Sequence, residues 1–215
     1  MSAQVDRFLE ELRRSRVIAI LRGLDQSLAV PTADALHAGG VNLIEITTDS
    51  PGWRDALGQL VASAGRKDGA QIGTGTILTL EQAKQAVDAG TAFLVSPVFA
   101  ADIADFARQR GVPYVPGALT PTEIHRAQLA GAACVKVFPA GTFGPDYIKR
   151  LLQPMSELRL VPTGGVTIET ARKYLEAGAI GVAIGSDLLD TAGLRGGDLD
   201  GTRARAERLL QSLTG

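Results

Sequence analysis

Eight short apolar runs recur along the chain at nearly even intervals, and this rhythm constrains the fold more than any other feature. They begin near Arg16, Asn42, Ala70, Ala92, Val112, Cys134, Leu158 and Ile180, with steps of 26, 28, 22, 20, 22, 24 and 22 residues. Each step has room for one strand, a three-turn helix and two short loops. The runs are apolar on both faces, as in Val17-Ile18-Ala19-Ile20-Leu21, which is the pattern of parallel strands covered by helices.

The intervening segments read as helices with identifiable ends. Thr79 is placed to cap a helix through Ala89, with Gln82 at the capping-box spacing. Thr120 or Thr122 can cap the next through Leu129, with Pro121 suited to the first helical position. Thr167 plays the same part before the segment to Ala177, and Ser27 to Ala38 forms another helix. Gly39, Gly90, Gly111, Gly131 and Gly178 stand where a left-handed residue ends a helix. Residues 2–14 predict an extra amphipathic helix, with Val5, Phe8, Leu9 and Leu12 on one side, and residues 201–213 a last helix. Asp187 to Asp200, with Gly193, Gly196 and Gly197, reads as a loop with a short helical piece.

Together these units predict an α/β protein built as a single (β/α)8 barrel of the TIM type, with an extra N-terminal helix. Residues 1–215 are expected to form one domain, and a doubly wound open sheet is the competing architecture. Apolar residues make up 45% of the chain, enough for a sizeable core. Twenty-two basic residues against 23 acidic ones leave a net charge of -1, so no global field recruits nucleic acid or an anionic membrane. No run approaches 18 apolar residues, and no export segment follows the amino terminus, so a cytoplasmic location is expected. The lone Cys134 excludes an intrachain disulfide and a cysteine-rich metal site.

In a barrel of this kind the chemistry sits at the carboxyl ends of the strands, so reactive side chains that interrupt apolar runs are the candidates. Lys136, in Ala133-Cys134-Val135-Lys136-Val137-Phe138, is the main anomaly; the other four lysines fall in helices or at their ends. An ammonium in a central strand must be paired or shift toward its neutral form, and a neutral amine is what Schiff-base chemistry requires. The alternative is a structural lysine whose charge reaches water or a carboxylate. Glu45, in Leu43-Ile44-Glu45-Ile46-Thr47, is the one carboxylate within the core of a run. It is a candidate proton carrier, or else a structural partner of Arg22 or Lys136.

Arg22 ends the first run and is suited to an acid group, and Thr74 and Thr76 offer hydroxyls at the end of the third. Phe138 and Pro139 are expected to bound the pocket, and Asp49 stands at its mouth either to recognise substrate hydroxyls or to cap the next segment. Gly164-Gly165 and Gly185-Ser186, after the seventh and eighth runs, can expose backbone N–H groups as an anion cradle; tight turns without a ligand are the alternative. His37 and His125 fall within helices, away from the mouth, and no acidic cluster predicts a metal site. Cys134 reads as a small buried residue.

With these residues in view, nearly the whole chain resembles the class I KDPG/KHG aldolase family. The marks are Glu45-Ile46-Thr47, Gly73-Thr74-Gly75-Thr76, Val115-Pro116-Gly117, Lys136-Val137-Phe138-Pro139 and Pro162-Thr163-Gly164-Gly165-Val166. Ile18-Ala19-Ile20-Leu21-Arg22-Gly23, Ser50-Pro51-Gly52-Trp53, Phe143-Gly144-Pro145-Asp146-Tyr147-Ile148-Lys149 and Gly185-Ser186-Asp187-Leu188 look most like the galactonate branch, whereas Pro162-Thr163 looks more like the gluconate branch. Asp49 departs from both, since gluconate-type relatives commonly carry an arginine there and galactonate-type ones a small polar amide.

The resemblance implies Lys136 as the Schiff-base lysine and Glu45 as the general acid/base. It places Arg22 and Thr76 near the pyruvyl carboxylate, and Gly164, Gly165, Gly185 and Ser186 around a distal phosphate. It implies a homotrimer that needs no metal or organic cofactor. The expected reaction is cleavage of 2-dehydro-3-deoxy-6-phosphogalactonate to pyruvate and D-glyceraldehyde 3-phosphate. The alternatives are the gluconate epimer or 4-hydroxy-2-oxoglutarate as substrate and, more remotely, a sugar-phosphate isomerase or epimerase.

Overall fold

The computed structural model describes residues 2–190, 193, 194 and 196–214; of the loop expected at 187–200, residues 191, 192 and 195 lie outside the described residues. Helix α1 (Ala3–Ser15) leads into β1 (Val17–Leu21), α2 (Gln26–Ala38), β2 (Leu43–Thr47), α3 (Trp53–Ala64), β3 (Gln71–Gly75), α4 (Leu80–Asp88), β4 (Phe93–Val95) and α5 (Ala101–Arg110). The fifth run forms two short strands, β5 (Tyr114–Val115) and β6 (Gly117–Ala118). Then come α6 (Pro121–Leu129), β7 (Val135–Val137), a 3-10 turn at Ala140–Thr142, α7 (Pro145–Leu152), β8 (Leu160–Pro162), α8 (Ile168–Glu176), β9 (Val182–Ile184) and α9 (Leu199–Thr214).

Local signals locate most helix ends. Thr79, Thr120 and Thr167 each accept the N–H of the residue three positions on, and each of the three caps is reciprocated. Ser2 caps α1 by accepting Val5 N–H, without a reciprocal bond. Gly39 departs from expectation: it sits at φ -80°, and Gly40 takes the left-handed conformation at φ 92°. Gly39 is small for another reason, because a Cβ there would stand 2.6 Å from Ala206 Cβ on α9.

The expected closed (β/α)8 barrel is not what forms. The strands divide into a curled, open six-stranded sheet in the order β5-β4-β3-β2-β1-β9 and a separate three-stranded sheet in the order β6-β7-β8. Every pair within both sheets is parallel. One seam falls at Pro116, which has no N–H to donate and separates β5 from β6 within a single run. The other falls between β8 and β9, where Gly164 and Gly165, both at positive φ, end the strand early. An isolated bridge between Thr163 and Ala183 and a hydrogen bond from Ile180 N–H to Leu160 O cross it. The spacing of the runs carries no information about either interruption.

Alternation along the strands sorts side chains into two layers. Val17, Ala19, Ile44, Ile46, Val135 and Val137 pack outward with the helices. Ile18, Ile20, Leu43, Phe93, Cys134 and Val161 form an inner cluster closed at one end by Phe8, Leu9 and Leu12 of α1. The rings of Phe8 and Phe93 lie 4.9 Å apart, and burying side chains of this size contributes about 1.5–3 kcal/mol each. The period of two puts Glu45 on the same face as Leu43, and Lys136 on the same face as Cys134. Among the described residues, no helix is long and apolar enough to cross a membrane.

Candidate active site

Lys136 is the central residue of β7, paired with Gly117 of β6 and Val161 of β8. Its side chain is 4% exposed, and its Nζ lies 5.2 Å from the centroid of the Phe138 ring. That distance suits a cation–π contact when the amine is protonated. Burial pulls the Lys136 pKa below the ordinary lysine value; the negative charge of Glu45 opposes the shift and the positive charge of Arg22 adds to it.

Glu45 sits in register with Ile20 of β1 and Gly73 of β3 and is 1% exposed. Among the described residues, its Oε1 has no hydrogen-bond partner. Burial raises its pKa, against the pull of Lys136 and then Arg22. The carboxyl fits only because Gly75 lacks a side chain: a Cβ there would meet Glu45 Oε1 at 2.6 Å. Burial therefore pushes both groups toward their neutral forms, a nucleophilic amine and an undissociated acid.

Arg22, just beyond β1, is clamped from two sides. Its Nη1 donates to Asp49 Oδ2 at 2.5 Å and its Nη2 to Thr76 Oγ1 at 2.9 Å. Thr76 has φ 61°, an uncommon conformation for a β-branched residue. Its carbonyl accepts Thr48 Oγ1–H at 2.7 Å, so contacts on both its side chain and its backbone hold the strained residue in place. Asp49 therefore holds an arginine; it does not cap the following helix, whose N-cap is Gly52.

These groups surround a cavity of about 670 Å³. Lys136, Arg22, Thr76 and Phe138 line it together with Gly164, Gly165, Gly185 and Ser186. Glu45 is not in the cavity wall, and its carboxyl stays in the buried layer; Asp49, Thr74 and Pro139 do not line the cavity either, so of the two residues expected to bound the pocket only Phe138 does. The glycines are closely fitted. A Cβ on Gly164 would meet the Phe138 ring at 2.8 Å, and one on Gly165 would meet Gly141 Cα at 2.9 Å. Ala140 N–H donates to Thr163 O and Gly141 N–H to Gly164 O, tying the loop after β7 to the loop after β8.

The wall also contains Thr163, Thr167, Asp187 and Leu189, which the sequence reading did not single out as site residues. Thr163 and Asp187 stand next to Gly164 and Ser186 in sequence, and that proximity was the available signal. Thr74 turns away from the cavity and donates its hydroxyl to Thr91 Oγ1 at 3.0 Å. His37 bonds Asn42 Oδ1 from within α2, and His125 is exposed on α6. Cys134 is fully buried, which pushes its thiol up to about 12.

A family model described as KDPG and KHG aldolase matches residues 8–204. Over 173 residues the chain is 36% identical to the 2-dehydro-3-deoxy-6-phosphogalactonate aldolase of Escherichia coli (strain K12), covering 80% of this chain and 83% of that one. It is 34% identical over 205 residues to the 2-dehydro-3-deoxy-phosphogluconate aldolase of Treponema pallidum (strain Nichols), covering 94% and 95%. A solved native KDPGal structure superposes with a TM-score of 0.84 at 33% identity, covering 91% of this chain and 93% of that one. Both kinds of name recur among the similar proteins, the gluconate kind more often.

Proposed function

The chain belongs to the KDPG and KHG aldolase family, and from that premise we propose that Lys136 is its Schiff-base amine and Glu45 its proton carrier. The protein is a class I carbon–carbon lyase of carbohydrate metabolism, acting on a phosphorylated keto-deoxy sugar acid and forming pyruvate. The isomerase or epimerase alternative falls with that class. The roles of individual residues rest chiefly on one observation: a buried lysine forms part of the wall of a cavity that Arg22, Thr76, Gly164, Gly165, Gly185 and Ser186 also line.

In this reading the substrate carboxylate meets Arg22 and the Thr76 hydroxyl, which brings C2 to Lys136. The neutral amine adds to the C2 ketone, and proton transfers through Glu45 expel the oxygen as water to leave an iminium. Glu45, directly or through one water, then takes the proton of the C4 hydroxyl. The C3–C4 bond breaks, its electron pair passes into the iminium to form an enamine, and the C4 oxygen becomes the aldehyde of glyceraldehyde 3-phosphate. Protonation at C3 and hydrolysis release pyruvate and return the free amine. Burial of Glu45 suits this traffic, because a carboxyl whose pKa is raised holds a proton more readily than an exposed one.

For the preferred substrate we favour the gluconate epimer, in place of the galactonate epimer that several segments suggested. Two observations support this: gluconate-type names are commoner among the similar proteins, and Pro162-Thr163-Gly164-Gly165 resembles that branch. The phosphate is assigned to Gly164, Gly165, Gly185 and Ser186, and the working form to a homotrimer, for which a solution mass of three chains is expected. The test is pyruvate release from both C4 epimers, each with and without its phosphate. The gluconate epimer should have the larger kcat/KM, and removing the phosphate should lower it. Equal rates for both epimers would remove the substrate preference, and indifference to phosphate would remove the cradle.

A further inference from the structure

The two halves of the glycine-lined corner belong to different sheets. Gly164 and Gly165 follow β8 of the three-stranded sheet, and Gly185 and Ser186 follow β9 of the six-stranded one. The β8 half is anchored to the β7 loop by the Ala140 and Gly141 hydrogen bonds. Across the seam, Asp187 Oδ2 accepts the N–H of Ile168 at 2.6 Å. Ile168 opens α8, and a first-turn N–H has no acceptor within its own helix. Thr167 Oγ1 takes the N–H of Thr170 from the same turn. The carboxylate that completes the cap is thus supplied from β9, by the residue that follows Ser186 in the cavity wall.

We infer that Asp187 is a positioning residue that sets the distance between the two halves of the distal cradle by tying the β9 loop to the start of α8. This rests on the assignment of the substrate's phosphate to those glycines. Two roles could be confused with it. A carboxylate in the wall could instead act by its charge, repelling an anion, or could simply support the fold. Asn keeps an oxygen acceptor for Ile168 N–H without the charge, and Ala removes both.

The experiment compares the full-length wild type, Asp187→Asn and Asp187→Ala in cleavage of the phosphorylated and dephosphorylated substrates. Deuterium exchange into the methyl group of pyruvate, followed by NMR, serves as a readout that needs the Schiff base but no distal group. For Asp187→Ala, KM for the phosphorylated substrate should rise about tenfold, the size expected for losing a charge-assisted hydrogen bond. Its kcat, its exchange rate and its cleavage of the dephosphorylated substrate should change by less than about threefold. Asp187→Asn should restore most of the lost affinity. An unchanged KM in the Ala variant overturns the inference. So does an Asn variant as weak as Ala, or one tighter than wild type, or an Ala variant that loses exchange in step with cleavage. If the wild type itself ignores the phosphate, the cradle assignment fails, and that result is read from the wild type alone.

Discussion

At the end assigned to bond cleavage, the protein works with ionisable side chains, two of them taken out of water; at the end assigned to the phosphate it works with backbone. Lys136 and Glu45 are each less than 5% exposed, and Arg22 is clamped between Asp49 and Thr76. The distal corner is assigned to Gly164, Gly165, Gly185 and the Ser186 hydroxyl, and the carboxylate beside them in the wall, Asp187, is already bonded to Ile168 N–H. The contrast follows from the chemistry assigned to each end. Making and breaking a bond at a carbonyl calls for groups whose protonation can be shifted, and burial supplies that shift. Holding a distal phosphate calls only for donors at the right distance, which backbone N–H groups supply when no Cβ intervenes.

Substitutions at the two ends should therefore fail in different ways. Lys136→Arg keeps the positive charge and removes the nucleophile; pyruvate release should fall by about 10⁴-fold or more, and borohydride with pyruvate should leave no adduct detectable by mass spectrometry. Full activity in that variant would break the comparison at its strongest point. Glu45→Gln should lower kcat by about 10²- to 10⁴-fold, as for loss of a general acid/base, while some reducible adduct still forms. Lost affinity with turnover intact would remove its proton-transfer role.

At the distal corner, Gly165→Ala forces a Cβ to within 2.9 Å of Gly141 Cα at a residue with φ 78°. Its KM for phosphorylated substrate should rise about tenfold or more, at the scale of a strained backbone position, with pyruvate deuterium exchange preserved. The smallest effect is expected for Asp49→Asn. Arg22 and Asp49 side chains are 52% and 46% exposed, and ion pairs so open to water contribute about 0–1 kcal/mol, so kcat/KM should change by less than about fivefold. A larger loss there would show that the clamp on Arg22, and not burial, governs this end.

The pair proposed as reactive stands out in the sequence because an ionisable side chain inside an apolar strand is costly and therefore conspicuous: Lys136 between Val135 and Val137, and Glu45 between Ile44 and Ile46. Helix ends at Thr79, Thr120 and Thr167 were legible because caps are local. Asp187 was not, since its partner Ile168 lies 19 residues away and no local pattern links them. The fit of Gly75 against Glu45 and the positive φ of Thr76 were hidden for the same reason: both depend on neighbours from other strands. The seams were also missed, because run spacing reports how many strands exist and not where ladders between them stop.

What the sequence determined by itself is the alternation of strands and helices and, through the period of two within β2 and β7, the face on which Glu45 and Lys136 stand. Those are properties of consecutive residues and need no partner. The tertiary structure alone decided that these faces share one dry interior beside a cavity, with the two sheets meeting at open seams. Desolvation and long-range hydrogen bonding exist only after segments far apart in sequence have packed together.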